Sequence, residues 1–503
     1  MNVKKVNFKF LILIFSFISI LSWNLRCMAQ MIETFDDVVD VLPQATDQIS
    51  KTSDEENILP QTIPQQKEVK VDEEALRREN FLKEHAGRIP VAMALDDGYI
   101  YPTMIAIISA VENANFNTKY DFYIMHPDNF SQENKNKLSD LERKYKNCFI
   151  NLVNMKDMFV GAYTDNRITT PAYYRLAMSE VFPYIDKMIW IDGDTITLHD
   201  LTEMYNLNMD GLYYRGLLDF PSSERTGGTD NDHYICDGVM IANLNKLRQD
   251  HVIEKFNDYI RNNWLPEHDQ TVINRVCYRN IGLIPPKFGM FNLPVWEVDY
   301  YCNSLVAWNR YSAGEVWNAW CDPCILHCVK KPWKESKASH REKWWRYAEK
   351  TGYFDDIKQR HAIRDGEYYL LSELSYYTAV DIEQASYKTG ANVRLWERNW
   401  TPAQKFNVRY VGEGCYTIQS QCSGKYLDVQ YGENKIGTNI WQYDYNGSDA
   451  QKWFIVNSGN GNYYIISKCN GLVMDVQSAN TKKGTNIRCW QGNETAAQRF
   501  RFV

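Results

Sequence analysis

The chain has 503 residues, 44% apolar and 24% charged, with a formal net charge of -7. Those proportions belong to a globular protein and exclude a mainly disordered chain, a collagen or a polytopic membrane protein. The mildly acidic balance excludes nucleic acid as the main partner, because that role asks for a basic face.

Lys4, Lys5 and Lys9 precede an apolar run from Phe10 to Trp23, and Cys27-Met28-Ala29 supplies the small residues of a cleavage site. This pattern predicts a signal peptide over residues 1–29. An uncleaved signal anchor, lysines inside and body outside, is the alternative, and would tether the protein to a membrane. Either places the body in the lumen of the secretory pathway or outside the cell. Residues 30–87 read as an acidic flexible spacer. Within 31–74 there are twelve acids against three bases, with Pro43, Pro60 and Pro64 and no sustained hydrophobic period. The negative charge of the chain is therefore concentrated in the spacer, and the chain from residue 75 onward is nearly neutral.

From Arg88 the pattern alternates. Val91 to Leu95 is strand-like, Tyr101 to Val111 helix-like and Tyr120 to Met125 strand-like. Ser131 caps a polar helical stretch to Lys146, and Phe149 to Val153 is strand-like again. This order predicts an α/β domain over 88–371 with a mostly parallel, Rossmann-like sheet. The twelve cysteines form no dense framework. Cys321, Cys324 and Cys328 with His327 have the composition of a zinc cluster, but the spacing fits no closed zinc site.

Residues 372–503 change character and repeat. Gln404-Lys-Phe406, Gln451-Lys-Trp453 and Gln498-Arg-Phe500 recur every 47 residues. So do Asp381, Asp428 and Asp475; Trp396, Tyr443 and Trp490; and Asn399, Asn446 and Asn493. Three all-β repeats of this length predict a closed three-fold structure, each repeat supplying a third of one core. The 14% aromatic content suits carbohydrate contact as well as core packing.

Lys187-Met-Ile-Trp-Ile-Asp192-Gly-Asp194 is an apolar strand ending in two carboxylates. Ligands of parallel sheets bind at such strand ends, and two carboxylates there suit a hard divalent cation. The segment stands among motifs that together resemble glycosyltransferase family 8, retaining hexosyltransferases of the GT-A fold. Ala94-Leu-Asp96-Asp97-Gly98-Tyr99 resembles the family's opening strand and turn, which holds the uridine. Tyr174-Arg175-Leu176 resembles its Y-R-L, whose arginine approaches the diphosphate. Trp190-Ile-Asp192-Gly193-Asp194 resembles the metal-binding D-x-D. Gly238-Val-Met-Ile-Ala-Asn243-Leu and Asp269-Gln270-Thr-Val-Ile-Asn274 match later motifs, and His327 with Lys331-Pro-Trp333 matches the closing one.

The resemblance implies transfer of glucose or galactose from UDP-glucose or UDP-galactose to a glycan or glycoconjugate acceptor, with retention of configuration. It implies a metal at Asp192, Asp194 and His327, manganese first and magnesium second. It places the donor along Ala94, Asp96, Asp97, Gly98, Tyr99, Arg175, Asp192, Gly193 and Lys331, and the reacting sugar near Asp269 and Gln270. Three departures stand out. Gly98 replaces the usual Asn. Cys236-Asp237 replaces the usual Asn-Ser or Asn-Ala, which puts Asp237 forward as a further carboxylate near the reacting carbon. The segment between His327 and Lys331 is two residues short and lacks its glycine, so a lectin with a transferase domain of lost activity is the competing reading.

The repeats resemble ricin-type β-trefoil lectins. In that family an Asp and an Asn bind sugar hydroxyls and an aromatic ring stacks on the sugar. The implied sites are Asp381, Trp396 and Asn399; Asp428, Tyr443 and Asn446; and Asp475, Trp490 and Asn493. The three glutamines read as core. Asn399, Asn446 and Asn493 each also open an N-x-S/T glycosylation pattern, which conflicts with sugar binding there wherever a host uses it.

Overall fold

The structure, a computed structural model, describes residues 73–156, 158–165, 168–219, 234–307 and 310–503. The predicted signal segment and most of the predicted spacer lie outside the described residues. The end of that spacer is an α-helix, Glu73–Glu84, with no buried residue. Among the described residues no helix is long and apolar enough to cross a membrane.

The first domain is built on a seven-stranded sheet. Its strands are β1 (Arg88–Ala94), β2 (Lys119–His126), β3 (Cys148–Asn154), β4 (Lys187–Ile191), β6 (Tyr214–Leu218), β7 (Ile235–Asn243) and β8 (Ile281–Leu283), in spatial order β3-β2-β1-β4-β7-β6-β8. The β1–β2, β2–β3, β1–β4 and β6–β8 pairs are parallel, and β7 alone runs against its neighbours. β1, β4 and β7 are buried on both faces, which is why they read as apolar runs without alternation. Pro90 lies in β1, but pairing with β4 begins only at Val91. The helix Ile100–Glu112 is apolar on all sides because it is buried from Ile100 to Val111. Ser131 caps the helix Gln132–Lys144 by accepting from the Asn134 amide at 3.3 Å. A three-stranded sheet joins β5 (Thr195–Thr197), β9 (Met290–Phe291) and β10 (Ile325–His327), with β10 between β5 and β9. It brings the end of the D-x-D segment beside His327, with Thr195 opposite His327.

The second domain is a β-trefoil. Phe406, Trp453 and Phe500 sit fully buried at its centre. Gln404, Gln451 and Gln498 are equally buried. Each accepts from the amide of Asn399, Asn446 or Asn493 at 2.9, 3.0 and 2.9 Å and donates to a carbonyl of the same repeat. They are core residues, as expected. Asn392, Asn439 and Asn486 form a closed ring of side-chain amides, each donating to the next at 2.9 Å, one from each repeat. The two domains share one hydrophobic cluster that runs from Ile89 through Trp344 and Trp345 to Phe500.

Candidate active site

Asp192 and Asp194 leave the end of β4, where the backbone turns from the large sheet into β5. The Asp192 amide donates to Gly238 of β7 at 2.8 Å. His327 closes the group from β10. One ligand atom from each of Asp192, Asp194 and His327 lies within 4.8 Å of the others. The histidine Nε2 is 3.4 Å from Asp194 Oδ1, which is buried and has no well-aligned hydrogen bond. Its Nδ1 faces the Cys236 sulfur at 3.7 Å. Burial keeps that thiol neutral by pushing its pKa far up, so Cys236 orients the ring without adding charge. Gly238 completes the cradle. A Cβ there would stand 2.2 Å from His327 Cε1 and 2.9 Å from Asp192 Oδ2.

Charge explains what the group can hold. Burial raises the Asp192 carboxyl, with Arg175 pulling the other way. Burial would raise Asp194 too, but Lys331 and His327 hold it far below the usual carboxylate range. Lys331 Nζ bonds Asp194 Oδ2, and Tyr99 donates to the same oxygen at 3.3 Å. Burial would lower the lysine, but Asp194 outweighs it and raises it. Two carboxylates, one of them with an unbonded buried oxygen, and an imidazole nitrogen fit a hard divalent cation.

A second layer lies behind the first. Arg175, 5% exposed, reaches Asp192 at 3.0 Å, Asp237 at 3.0 Å and Asp269 at 2.9 Å. Its guanidinium also covers the Trp190 ring, whose Nε1 donates to Asp192 at 2.8 Å. Burial raises Asp237 well above the carboxylate range against the pull of Arg175, and Asp269 adds to the rise. Gln270 follows Asp269 on the helix His268–Val276. It donates to Asp219 at 3.0 Å and accepts from the Asp237 amide at 3.3 Å.

Ala94, Asp96, Tyr99, Arg175, Asp192, Gly193, Asp194 and Lys331 line one cleft, with Thr169 and Trp190. Asp97 is turned elsewhere. Its Oδ1 accepts from the Ser131 amide and hydroxyl and from Asn134, at 3.1, 2.8 and 2.7 Å, so it anchors the next helix. The Gly98 amide donates to Asp96 at 3.0 Å, which shapes the turn. The short segment after His327 folds back, with the Cys328 amide on the Asp194 carbonyl at 2.8 Å. That fold carries Lys331 onto Asp194. Nothing in the sequence marks Asp219 as a partner of the site, and Trp190 was visible only as part of the D-x-D segment. Gly238 was visible only as a motif glycine.

In the trefoil, Asp381, Asp428 and Asp475 are buried, and Asn399, Asn446 and Asn493 each accept from the amide two residues on at 3.1, 2.9 and 3.1 Å. Those side-chain oxygens are committed to turns, which leaves the amide NH2 groups as donors. Asp428, Tyr443 and Asn446 share a cavity.

Residues 90–336 match the family model "Glycosyl transferase family 8". The chain carries a family 8 glycosyltransferase domain. Residues 358–443 and 402–490 match the model "Ricin-type beta-trefoil lectin domain-like", and the family 8 domain is thus joined to a lectin-type domain. A putative glycosyltransferase of Haemophilus influenzae is 27% identical over 202 residues, 38% of this chain and 60% of the relative's length. General stress protein A of Bacillus subtilis is 22% identical over 280 residues, 52% of this chain and 93% of that relative. The solved galactosyltransferase LgtC, in complex with donor and acceptor sugar analogues, aligns with 52% of this chain and 95% of its own, at 20% identity and a TM-score of 0.42.

Proposed function

We propose that the protein is a metal-dependent, retaining hexosyltransferase that moves glucose or galactose from a UDP-sugar to a glycan or glycoconjugate, with the trefoil holding it near its acceptors. The observation that carries this reading is the meeting of Asp192, Asp194 and His327 over Gly238, at the wall of a cleft that also presents Lys331 and Arg175. Manganese or magnesium bound there would neutralise the departing diphosphate. Lys331 adds a positive charge on the same side of the cleft. Arg175 ties Asp192, Asp237 and Asp269 into one rigid group, so the carboxylates stay placed while charge moves. Gln270, fixed by Asp219 and the Asp237 amide, presents its side chain beside Asp269, where the reacting sugar would lie. The predicted signal segment supports a place in a secretory lumen or outside the cell. Lectin binding there raises the local acceptor concentration without adding chemistry.

The competing reading, a lectin without turnover, is favoured by one contact: the Lys331 ammonium already occupies Asp194 Oδ2. Hydrolysis of UDP-glucose and UDP-galactose with manganese, measured for the wild type and Asp192→Asn, separates the two. The expected result is UDP release that a chelator abolishes and that falls on the order of 100-fold in the variant. Absence of both turnover and nucleotide binding would overturn the transferase reading.

A further inference from the structure

The three trefoil repeats share one backbone but not one chemistry. Arg394, Trp441 and Arg488 stand at one position of the 47-residue repeat, and Gln384, Tyr431 and Ser478 at another. The second position is a left-handed turn in every repeat, with φ of 56°, 57° and 57°. The backbone is therefore held while the side chains differ, and at both positions the middle repeat alone carries an aromatic ring.

In the outer repeats the arginine folds back over the site. Arg394 Nε lies 3.0 Å from Asp381 Oδ1, and its guanidinium carbon is 3.9 Å from the Trp396 ring centroid. Arg488 does the same, 3.2 Å from Asp475 Oδ1 and 3.7 Å from the Trp490 centroid. Each arginine takes both groups that a sugar would use, the carboxylate and the ring face. These pairs are largely shielded from water, with the arginines 13% and 16% exposed and the aspartates 5%. A neutral sugar offers no charge to replace the guanidinium on a buried carboxylate.

The middle repeat is built differently. Trp441 Nε1 donates to Asp428 Oδ1 at 2.7 Å and brings no charge. Its ring stacks on Tyr443 at 5.4 Å and 25°, and Tyr431 meets it edge-on at 5.0 Å. Three aromatics stand here against one in each outer repeat at the same positions. A cavity of about 430 Å³ opens between them, with Asp428 in its wall and Asn446 at its rim. Tyr431 is 77% exposed, a large ring held in solvent with no core to pack into.

We infer that the trefoil is a single-site lectin: the middle repeat binds a neutral pyranoside, and arginines latch the outer two shut. The C–H face of the sugar lies on the aromatic group. Its hydroxyls meet Asp428 and the Asn446 amide. Asp428 in the cavity wall has a neutral indole and no cation on its carboxylate, so the site offers nothing to balance a sugar that carries a carboxylate. Asp449 nearby is paired with Lys452 and Lys468. The inference rests on the lectin reading above and goes further by naming the repeat and the sugar class.

The test is calorimetric titration of the full chain with methyl β-galactoside, methyl α-glucoside and N-acetylglucosamine, with methyl glucuronide as the charged control. The expected result is one site per chain for a neutral probe and none for the glucuronide. Affinity falls roughly tenfold or more in Tyr431→Ala and in Trp441→Arg. Arg394→Gln/Arg488→Gln leaves the affinity of the middle site unchanged and, by freeing the outer carboxylates and rings, raises the count above the single wild-type site. Tyr431→Ala alters an exposed ring, so its loss of binding is not a loss of fold. Two or three sites per wild-type chain, or binding that survives both middle-repeat variants, overturns the single-site inference and leaves the lectin reading standing. No binding of any neutral probe overturns both. Release of UDP from the same preparation reports on the transferase reading independently.

Discussion

Gly238 stands where the cradle of the metal-type site has no room for a side chain. An added methyl would overlap His327 and press on Asp192. Gly238→Ala is expected to weaken manganese binding on the order of 10- to 100-fold, because the histidine ring must turn away. Stability should fall by only about 1–3 kcal/mol, the cost of overpacking at one buried position. Manganese titration followed by electron paramagnetic resonance, alongside thermal melting, checks both; unaltered manganese affinity would show that the cradle is not needed. Cys236 and Asp237 make the same point from the other side. Their sequence marks them only as departures near the reacting sugar. In the structure Cys236 addresses His327, and Asp237 is drawn into the Arg175 group. Asp192 and Asp194 were legible because they are near neighbours in the chain at a strand end. His327 stands more than 130 residues away, and its role was legible only through the resemblance.

The trefoil repeat was legible as an element because the 47-residue period aligns the Gln-x-aromatic motif, the Asp, the ring and the Asn without a gap. The amide ring on its axis is a consequence of that period. Each of Asn392, Asn439 and Asn486 gives one hydrogen bond and receives one, so removing any one orphans a donor and an acceptor. Asn439→Ala is expected to cost about 1–3 kcal/mol. Urea denaturation should show the loss as a lower midpoint, and a midpoint within error of the wild type would mean that water replaces the ring. The short segment between His327 and Lys331 is the opposite case. Its shortness and missing glycine stood as a departure that put the role of Lys331 in doubt. The structure instead shows a tight return that sets Lys331 on Asp194. Loop length constrains reach, but the direction of the return is decided by the Asp194 carbonyl that receives the Cys328 amide.

At the scale of the whole molecule the two domains are not beads on a string. The helix Arg341–Ala348 buries Trp344 and Trp345, and Trp345 packs over Gly414 of the trefoil, where a Cβ would fall 2.3 Å from its ring. Gly414 also has φ of 79°, a conformation that favours glycine. Around it Arg346 bonds Glu413 at 2.8 Å, the Glu413 amide bonds Glu349 at 2.7 Å, and Tyr416 donates to the Ile363 carbonyl at 2.6 Å. Gly414→Val should pry this junction apart. The expected outcome is two calorimetric transitions in place of one, with UDP release lost at the lower. A single transition at the wild-type temperature would show that the domains do not depend on each other.

The sequence by itself determined the two fold classes, the repeat and the residue types of the donor cleft, because hydrophobic period, repeat length and local motifs are properties of neighbours along a chain. Only the tertiary structure decided that Asp97 anchors a helix while Asp96 faces the cleft, that Arg175 gathers three carboxylates, and that the lectin-type and transferase domains share a core. Those outcomes depend on which surfaces meet after the chain has folded, and residues far apart in sequence carry no mark of their eventual distance.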